Sequence, residues 1–122
     1  MAESFEDLEV WQRSCRQSVE IIRAVASLRP YSLRDQIQRC SISVPSNIAE
    51  GCERDSTLEF IRFIRIAKGS NGELRTQIYI ARRLDQLDRD QCAAFIKENL
   101  EIGRMLGGLI KALQRKRKPP PP

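Results

Sequence analysis

Histidine is absent from the 122 residues. Without an imidazole, Ser-His and Cys-His nucleophile arrangements are excluded. The four cysteines, Cys15, Cys40, Cys52 and Cys92, form no Cys-x-x-Cys pair. A zinc site of spaced Cys and His is therefore not expected, and the cysteines read as small buried hydrophobes in a reducing compartment. No apolar run approaches ~18 residues, the length a membrane-spanning helix needs. No strand-like alternation occurs, and no glycine-rich phosphate loop follows a strand. Glu50 and Glu73 are the carboxylates that could be paired for acid-base work, and both read better as acceptors for Arg or backbone donors. Catalysis, a metal and a cofactor are thus not expected. The N-terminus, Met-Ala-Glu-Ser-Phe-Glu-Asp, is acidic and lacks the apolar segment of a secretory signal, so the expected location is the cytoplasm.

Two further scarcities shape the chain. Four of the six prolines close the sequence, so only Pro30 and Pro45 punctuate the rest. No acid follows Glu101, whereas Lys111, Arg115, Lys116, Arg117 and Lys118 do. These five account for the whole net charge of +5, because the other 16 basic residues match the 16 acids. The cluster is the candidate nucleic-acid-binding surface, and Arg62, Arg65, Arg75, Arg82 and Arg83 could add a second basic surface unless nearby acids neutralise it. Aromatic platforms are few: Trp11, Tyr31 and Tyr79 are scattered, which argues against base-specific reading by the tail.

What remains is helical periodicity. Ser4 is placed to cap a first helix, with Glu6, Asp7 and Glu9 in its first turn. Leu8, Trp11, Cys15, Val19, Ile22 and Val25 form its apolar stripe, opposite Arg13, Arg16, Gln17, Glu20 and Arg23. Phe5 is expected to fold over its start, beside Leu8 or Glu9. This helix should end near Leu28, before Pro30. Ser32 is the expected cap of a second helix whose apolar residues, Leu33, Ile37, Cys40, Val44 and Ile48, straddle Pro45. An internal proline costs ~3 kcal/mol, so the helix is expected to be kinked there and held by packing. Small neighbours, Ser41, Ser43, Ser46 and Ala49, would admit another helix, and serine hydroxyls could satisfy the freed carbonyls. Asn47 is expected to bond that freed backbone, and Gly51 to end the helix in the left-handed conformation. Ser43, Pro45, Asn47, Glu50 and Gly51 are the candidate structural motif.

Ser56 with Glu59 predicts a capping box for a third helix reaching about Leu87. Asp88 with Gln91, or Asp90, starts a fourth reaching about Arg115. The sequence therefore predicts an all-α antiparallel four-helix bundle over 1–115, helix 2 kinked at Pro45, and a basic proline-rich tail at 116–122. The third helix is apolar almost all round. Phe60, Ile61, Phe63, Ile64 and Ile66 are the candidate oligomer interface, because a second apolar face needs a second subunit. Gly69, Gly72, Gly103, Gly107 and Gly108 read as places of close helix approach.

The stretch Gln-Ile-Gln-Arg-Cys-Ser-Ile-Ser-Val-Pro-Ser-Asn-Ile-Ala-Glu-Gly, residues 36–51, resembles the signature of bacterial proteins encoded in intervening sequences of large-subunit ribosomal RNA genes. Phe-Glu-Asp-Leu-Glu-Val-Trp-Gln-Arg-Ser and Glu-Phe-Ile-Arg-Phe-Ile-Arg-Ile-Ala-Lys-Gly-Ser-Asn-Gly-Glu-Leu-Arg-Thr-Gln fit the same family. The likeness runs from about Phe5 to Leu113. Asn71 departs from the pattern, where an apolar residue is commoner. The family is similar in architecture to the accessory protein of diversity-generating retroelements, a basic pentamer that binds reverse transcriptase and RNA. The resemblance therefore implies a four-helix bundle, a ring of five identical subunits, and RNA and protein partners. Two functions stay open: a non-catalytic oligomer that binds RNA or another polyanion, and a homo-oligomeric scaffold without a nucleic-acid role.

Overall fold

The computed structural model describes residues 4–117. A 3₁₀ turn at Phe5–Asp7 precedes four α-helices: α1, Glu9–Ala24; α2, Tyr31–Cys52; α3, Thr57–Arg83; α4, Arg89–Arg117. No strand occurs among the described residues. Both α1 and α3 pack against α2 and α4, giving the antiparallel four-helix bundle expected from short links. No helix of the described residues is long and apolar enough to cross a membrane. Lys116 and Arg117 continue α4 past the expected boundary at 115, while Lys118 and the four closing prolines lie outside the described residues.

Several helix ends differ from expectation. Ser4 caps the 3₁₀ turn, accepting from the Glu6 amide at 3.2 Å, and α1 begins at Glu9 without a side-chain cap. Phe5 packs edge-on against Trp11, with ring centroids 5.2 Å apart, and so reaches beyond Leu8 and Glu9. Ser32 lies inside α2, whose N-cap is Pro30. Ser56 does accept from the Glu59 amide at 3.2 Å, but the Glu59 carboxylate turns to Arg62. α3 stops at Arg83, short of Leu87, because Asp85 adopts φ 56° and the Gln86 amide closes onto the Ala81 carbonyl at 2.9 Å. Asp is one of the few side chains that tolerates this left-handed position. Asp88 then caps α4 by accepting from the Gln91 amide at 3.1 Å.

Two apolar clusters fill the bundle. One contains Ile21, Val25, Ile37, Leu74, Ile78 and Phe95. The other contains Val44, Ile48, Ile61, Ile64, Ile102 and Leu106. Burial of each such side chain contributes ~1.5–3 kcal/mol. Between them lies a layer of three buried amides, Gln17, Asn71 and Asn99. Asn71 Nδ2 donates to the Asn99 carbonyl at 2.9 Å, and Asn99 Nδ2 returns a bond to the Asn71 carbonyl at 3.0 Å. Gln17 Nε2 donates to Asn71 Oδ1 at 3.2 Å, and Asn99 Nδ2 also reaches Gln17 Oε1 at 3.1 Å. Asn71 thus replaces an apolar contact with a paired amide. The buried face of α1 is accordingly rotated from the expected stripe. Val10, Ser14, Gln17, Ser18 and Ile21 are buried, whereas Val19 is exposed.

α3 is absorbed by the monomer. Of the residues expected to face a second subunit, Ile61, Phe63 and Ile64 are buried within one chain. Phe60 is half-buried, and Ile66 is 42% exposed. The physical reason is that α3 lies between α2 and α4 and gives each of them an apolar flank. The apolar surplus that suggested a second subunit is largely used inside the fold.

α2 is continuously helical across Pro45. Its ring removes the donor that the Ser41 carbonyl would otherwise receive. That carbonyl accepts from Ser18 Oγ of α1 at 2.7 Å. The replacement donor therefore comes from a neighbouring helix, and not from the serines beside the proline. Asn47 does not reach Ser41; its amide nitrogen contacts the Ser43 carbonyl at 2.8 Å and Ser43 Oγ at 3.0 Å. Ser43 Oγ also sits 2.9 Å from Ser70 Oγ, joining α2 to α3. Glu50 pairs with Arg54 at 3.0 Å on the surface. Gly51 is helical and buried, and no glycine has positive φ. Its role is spatial: a Cβ there would lie 2.7 Å from Phe63 Cβ and 3.0 Å from Phe60 Cδ1.

Ser18→Ala is expected to lower unfolding free energy by ~1–3 kcal/mol, because the Ser41 carbonyl loses its donor inside the core. In a Pro45→Ala background the restored amide serves that carbonyl, and the effect of Ser18→Ala should shrink below ~1 kcal/mol. Urea denaturation of the four chains measures the coupling; equal Ser18→Ala effects in both backgrounds would exclude it.

Candidate nucleic-acid interface

The predicted basic residues fall on the last turns of α4. Lys111, Arg115, Lys116 and Arg117 are all exposed there, and Lys118 lies outside the described residues. Three of them, Arg115, Lys116 and Arg117, also complement the C-terminal end of the helix dipole. Lys111 does more, because it stands beside α3. A groove between α3 and α4 is lined at one end by Arg65, Lys68, Ile110, Lys111 and Gln114, with Gly69 and Gly107 between them. It continues past Lys68 and Lys111 to Arg75, Leu100 and Arg104 over Gly72, Gly103 and Gly108. The two segments hold about 510 and 650 Å³.

Five cations and no carboxylate line these two segments: Arg65, Lys68, Arg75, Arg104 and Lys111. Arg104 pairs with Glu101 at 2.8 Å. Among the described residues the other four form no salt bridge. Arg75 is held by the amide layer, donating to Asn99 Oδ1 at 3.1 Å. The four cations left without an acid partner, gathered in one groove, focus a positive potential.

The glycines make the groove by leaving space. Cβ atoms added at Gly69, Gly72 or Gly108 would meet nothing within 4 Å. At Gly103 and Gly107 the nearest atoms are side-chain ends at 3.5 and 3.7 Å. The expected close helix approach is therefore absent at Gly69, Gly72 and Gly108, while a Cβ at Gly103 or Gly107 would sit in ordinary contact with an α3 side chain. Sequence reasoning found Lys111, and it named Arg65 and Arg75 as part of a second basic surface. It missed Lys68 and Arg104. Their signal was their register: Arg65, Lys68 and Arg75 share one side of α3, as do Arg104 and Lys111 on α4.

Beyond Leu100 and Arg104 the groove opens into a larger cleft of about 870 Å³. Tyr79, Arg82, Arg89, Ala93, Ile96 and Lys97 line it. At its edge Arg13 of α1 grips Glu98 of α4 with two bonds, Nη2 at 2.6 Å and Nε at 2.9 Å. The Arg13 guanidinium holds the Glu98 carboxyl below its ordinary value.

The thiols offer no chemistry to this surface. Burial, the hydrogen bond to Glu73 and the Glu73 charge push Cys40 up to about 12. Burial also raises Cys15, Cys52 and Cys92. A thiolate, the nucleophilic form, is thereby disfavoured at every cysteine. Glu73 receives the Cys40 thiol at 3.4 Å and Glu50 receives Arg54 at 3.0 Å, so the two carboxylates have separate partners.

The profile of the 23S rRNA-intervening sequence protein family matches residues 6–108. The chain belongs to that family. Its fold is also similar to a crystal structure from Bacteroides thetaiotaomicron, described as a protein with unknown function from the S23 ribosomal protein family. That likeness has a TM-score of 0.78 at 24% identity and covers 84% of this chain and 98% of that one. At this identity it carries the fold alone. No curated protein matches the sequence. The family profile ends at 108, so it spans the glycine floor and stops before Lys111 and the basic end of α4.

Because the Glu98 value is lowered on folding, its contribution is present above the ordinary value of 4.5 and is lost as pH falls through the folded value. Glu98→Gln is expected to lower stability by about 1 kcal/mol at pH 7, an amount discounted for the pair's partial exposure. The difference from the native chain should shrink as pH falls below 4.5 and through the lowered folded value. Urea midpoints from pH 3 to 7 give the comparison, and a difference independent of pH would exclude the ion pair as its source.

Proposed function

We propose that this chain is a non-catalytic bundle protein that binds RNA through the basic groove between α3 and α4, continued by the end of α4. The observation that supports the reading is the lining of the groove by five cations without a carboxylate. Phosphate contacts from Lys and Arg supply affinity without reading sequence. Action in the cytoplasm and self-assembly into a ring belong to the same reading. The ring number of five comes from the family resemblance, and a ring would repeat the groove in every subunit. Phe60, Leu58 and Ile66 offer the apolar contact on α3, since Ile61, Phe63 and Ile64 are already buried.

A scaffold without a nucleic-acid role is favoured by a different observation. Leu58, Ile66 and Ile80 leave three sizeable apolar side chains exposed on α3. Static light scattering at micromolar concentration is expected to give a multiple of the 14.0 kDa chain, with five as the expected multiple. A monomer mass would remove the ring from both readings; a dimer or tetramer would remove only the number.

RNA binding is decided by titrating a single-stranded RNA with three proteins: the intact chain, a chain ending after Gln114, and the intact chain carrying Lys68→Glu and Lys111→Glu. Log affinity should fall with log salt at roughly −0.7 per phosphate contact. Truncation should weaken binding and reduce that slope, and the charge reversal should weaken it by at least about ten-fold, or ~1.4 kcal/mol. Equal binding by all three proteins would displace the site from this groove. No binding by the intact chain at low salt would leave the scaffold.

A further inference from the structure

Three side chains in the protein could stack on a base as a tryptophan or tyrosine, and the fold commits two of them elsewhere. Trp11 is half-buried and packs against Phe5, with centroids 5.2 Å apart. Tyr31 carries the Arg34 guanidinium 4.6 Å from its ring centroid and Arg29 at 5.4 Å. Tyr79 is different. It is 43% exposed, and no aromatic pair, cation contact or hydrogen bond engages it among the described residues. It lines the cleft into which the basic groove opens, together with Leu100 and Ile96.

The groove and this cleft are one path. Leu100 and Arg104 line both the cleft and the adjoining groove segment, and Lys68, Gly107 and Lys111 line both groove segments. From Ala93 to Gln114 the path follows α4 for about 30 Å at 1.5 Å per residue. Its character changes along that length. The end near Lys111 is glycine-floored and cationic. The end near Tyr79 is lined by Ala93, Ile96 and Leu100, with the cations Arg82, Arg89 and Lys97, while Glu98 and Glu101 are engaged by Arg13 and Arg104. Packed helices lie ~8–10 Å apart, so a groove between two of them admits one chain of a polymer, while a duplex would touch only its rims.

We infer that Tyr79 is a base-stacking platform and that the groove takes an unpaired nucleic-acid strand. The strand's phosphates lie along Arg65, Lys68, Arg104 and Lys111, and a base reaches the apolar cleft and stacks on the Tyr79 ring. Stacking on an aromatic side chain is tolerant of base identity, since every base has a π face. This inference rests on the RNA-binding reading and adds to it a strandedness and a requirement for bases. An acidic protein segment would match the charge but lacks the regular alternation of phosphates and planar bases that this path fits.

The test compares the native chain, Tyr79→Ala, Tyr79→Phe and the Lys68→Glu/Lys111→Glu chain, with circular dichroism to confirm folding. Exposure of Tyr79 makes its replacement compatible with the fold. The probes are a single-stranded oligouridine, an RNA duplex of equal length, inorganic polyphosphate and poly-glutamate. Tyr79→Ala should weaken oligouridine binding by roughly ten-fold while Tyr79→Phe keeps it, and polyphosphate affinity should stay unchanged in both. Tyr79→Trp supplies a direct readout, since stacking should quench its fluorescence with oligouridine and not with polyphosphate. Oligouridine binding unchanged in Tyr79→Ala but lost in the charge-reversed chain would overturn the platform and leave the RNA reading standing. Duplex or poly-glutamate binding as tight as oligouridine would overturn the single-strand assignment. If the native chain binds no probe, the RNA reading falls first and the platform with it.

Discussion

The reciprocal amide bonds between Asn71 and Asn99 are the constraint on which the rest of the bundle depends. Each side chain donates to the other's backbone carbonyl, at 2.9 and 3.0 Å, so the two helices meet in a single register. A slip of one residue would leave two buried amides unpaired, at ~1–3 kcal/mol for each unsatisfied group. Apolar layers on either side tolerate repacking and discriminate register poorly. Gln17 extends the lock to α1, which lies diagonally across the bundle from α3. The same layer reaches the surface, since Asn99 Oδ1 also holds Arg75 beside the groove. Core specification and the presentation of a surface cation therefore share one set of hydrogen bonds.

Pro45 poses a second constraint that is solved between helices. A proline within a helix orphans one carbonyl, and Ser18 on α1 supplies the donor. The contact ties α1 to the middle of α2, and a small side chain is needed for it to form. Gly51 plays the complementary part at the other end of α2, where the start of α3 comes too close for a Cβ. Within residues 41–51, Ser41 and Gly51 are both buried small residues.

The groove is a by-product of how α3 is used. α3 gives apolar flanks to both α2 and α4, which leaves its outward side to Arg65, Gly69, Gly72 and Arg75. α4 turns Gly103, Gly107 and Gly108 toward the same space. Missing side chains on both helices produce a shallow trough, and cations on both rims give it its sign. Membership of the 23S rRNA-intervening sequence protein family fixes the kind of fold and leaves the trough's occupant to be decided by binding.

The order and type of the four helices were legible in the sequence, because apolar periodicity and the caps at Ser56 and Asp88 are local signals. So was continuity through Pro45, since Val44 and Ile48 keep one helical face on either side of it. The charge excess in Lys111 to Lys118 could be counted directly. Other features depended on distant contacts. The rotation of α1 was hidden because Gln17 reads as a surface residue until Asn71 and Asn99 are brought beside it. The roles of Ser18 and Gly51 depended on α2 and α3 respectively, neither of them near in sequence. The burial of Ile61, Phe63 and Ile64 inside one chain required knowing that α3 has two helical neighbours. The joining of Lys68, Arg104 and Lys111 into one basic groove required the pairing of α3 with α4. Periodicity along a helix determines which residues share a side, but only tertiary packing decides what that side faces.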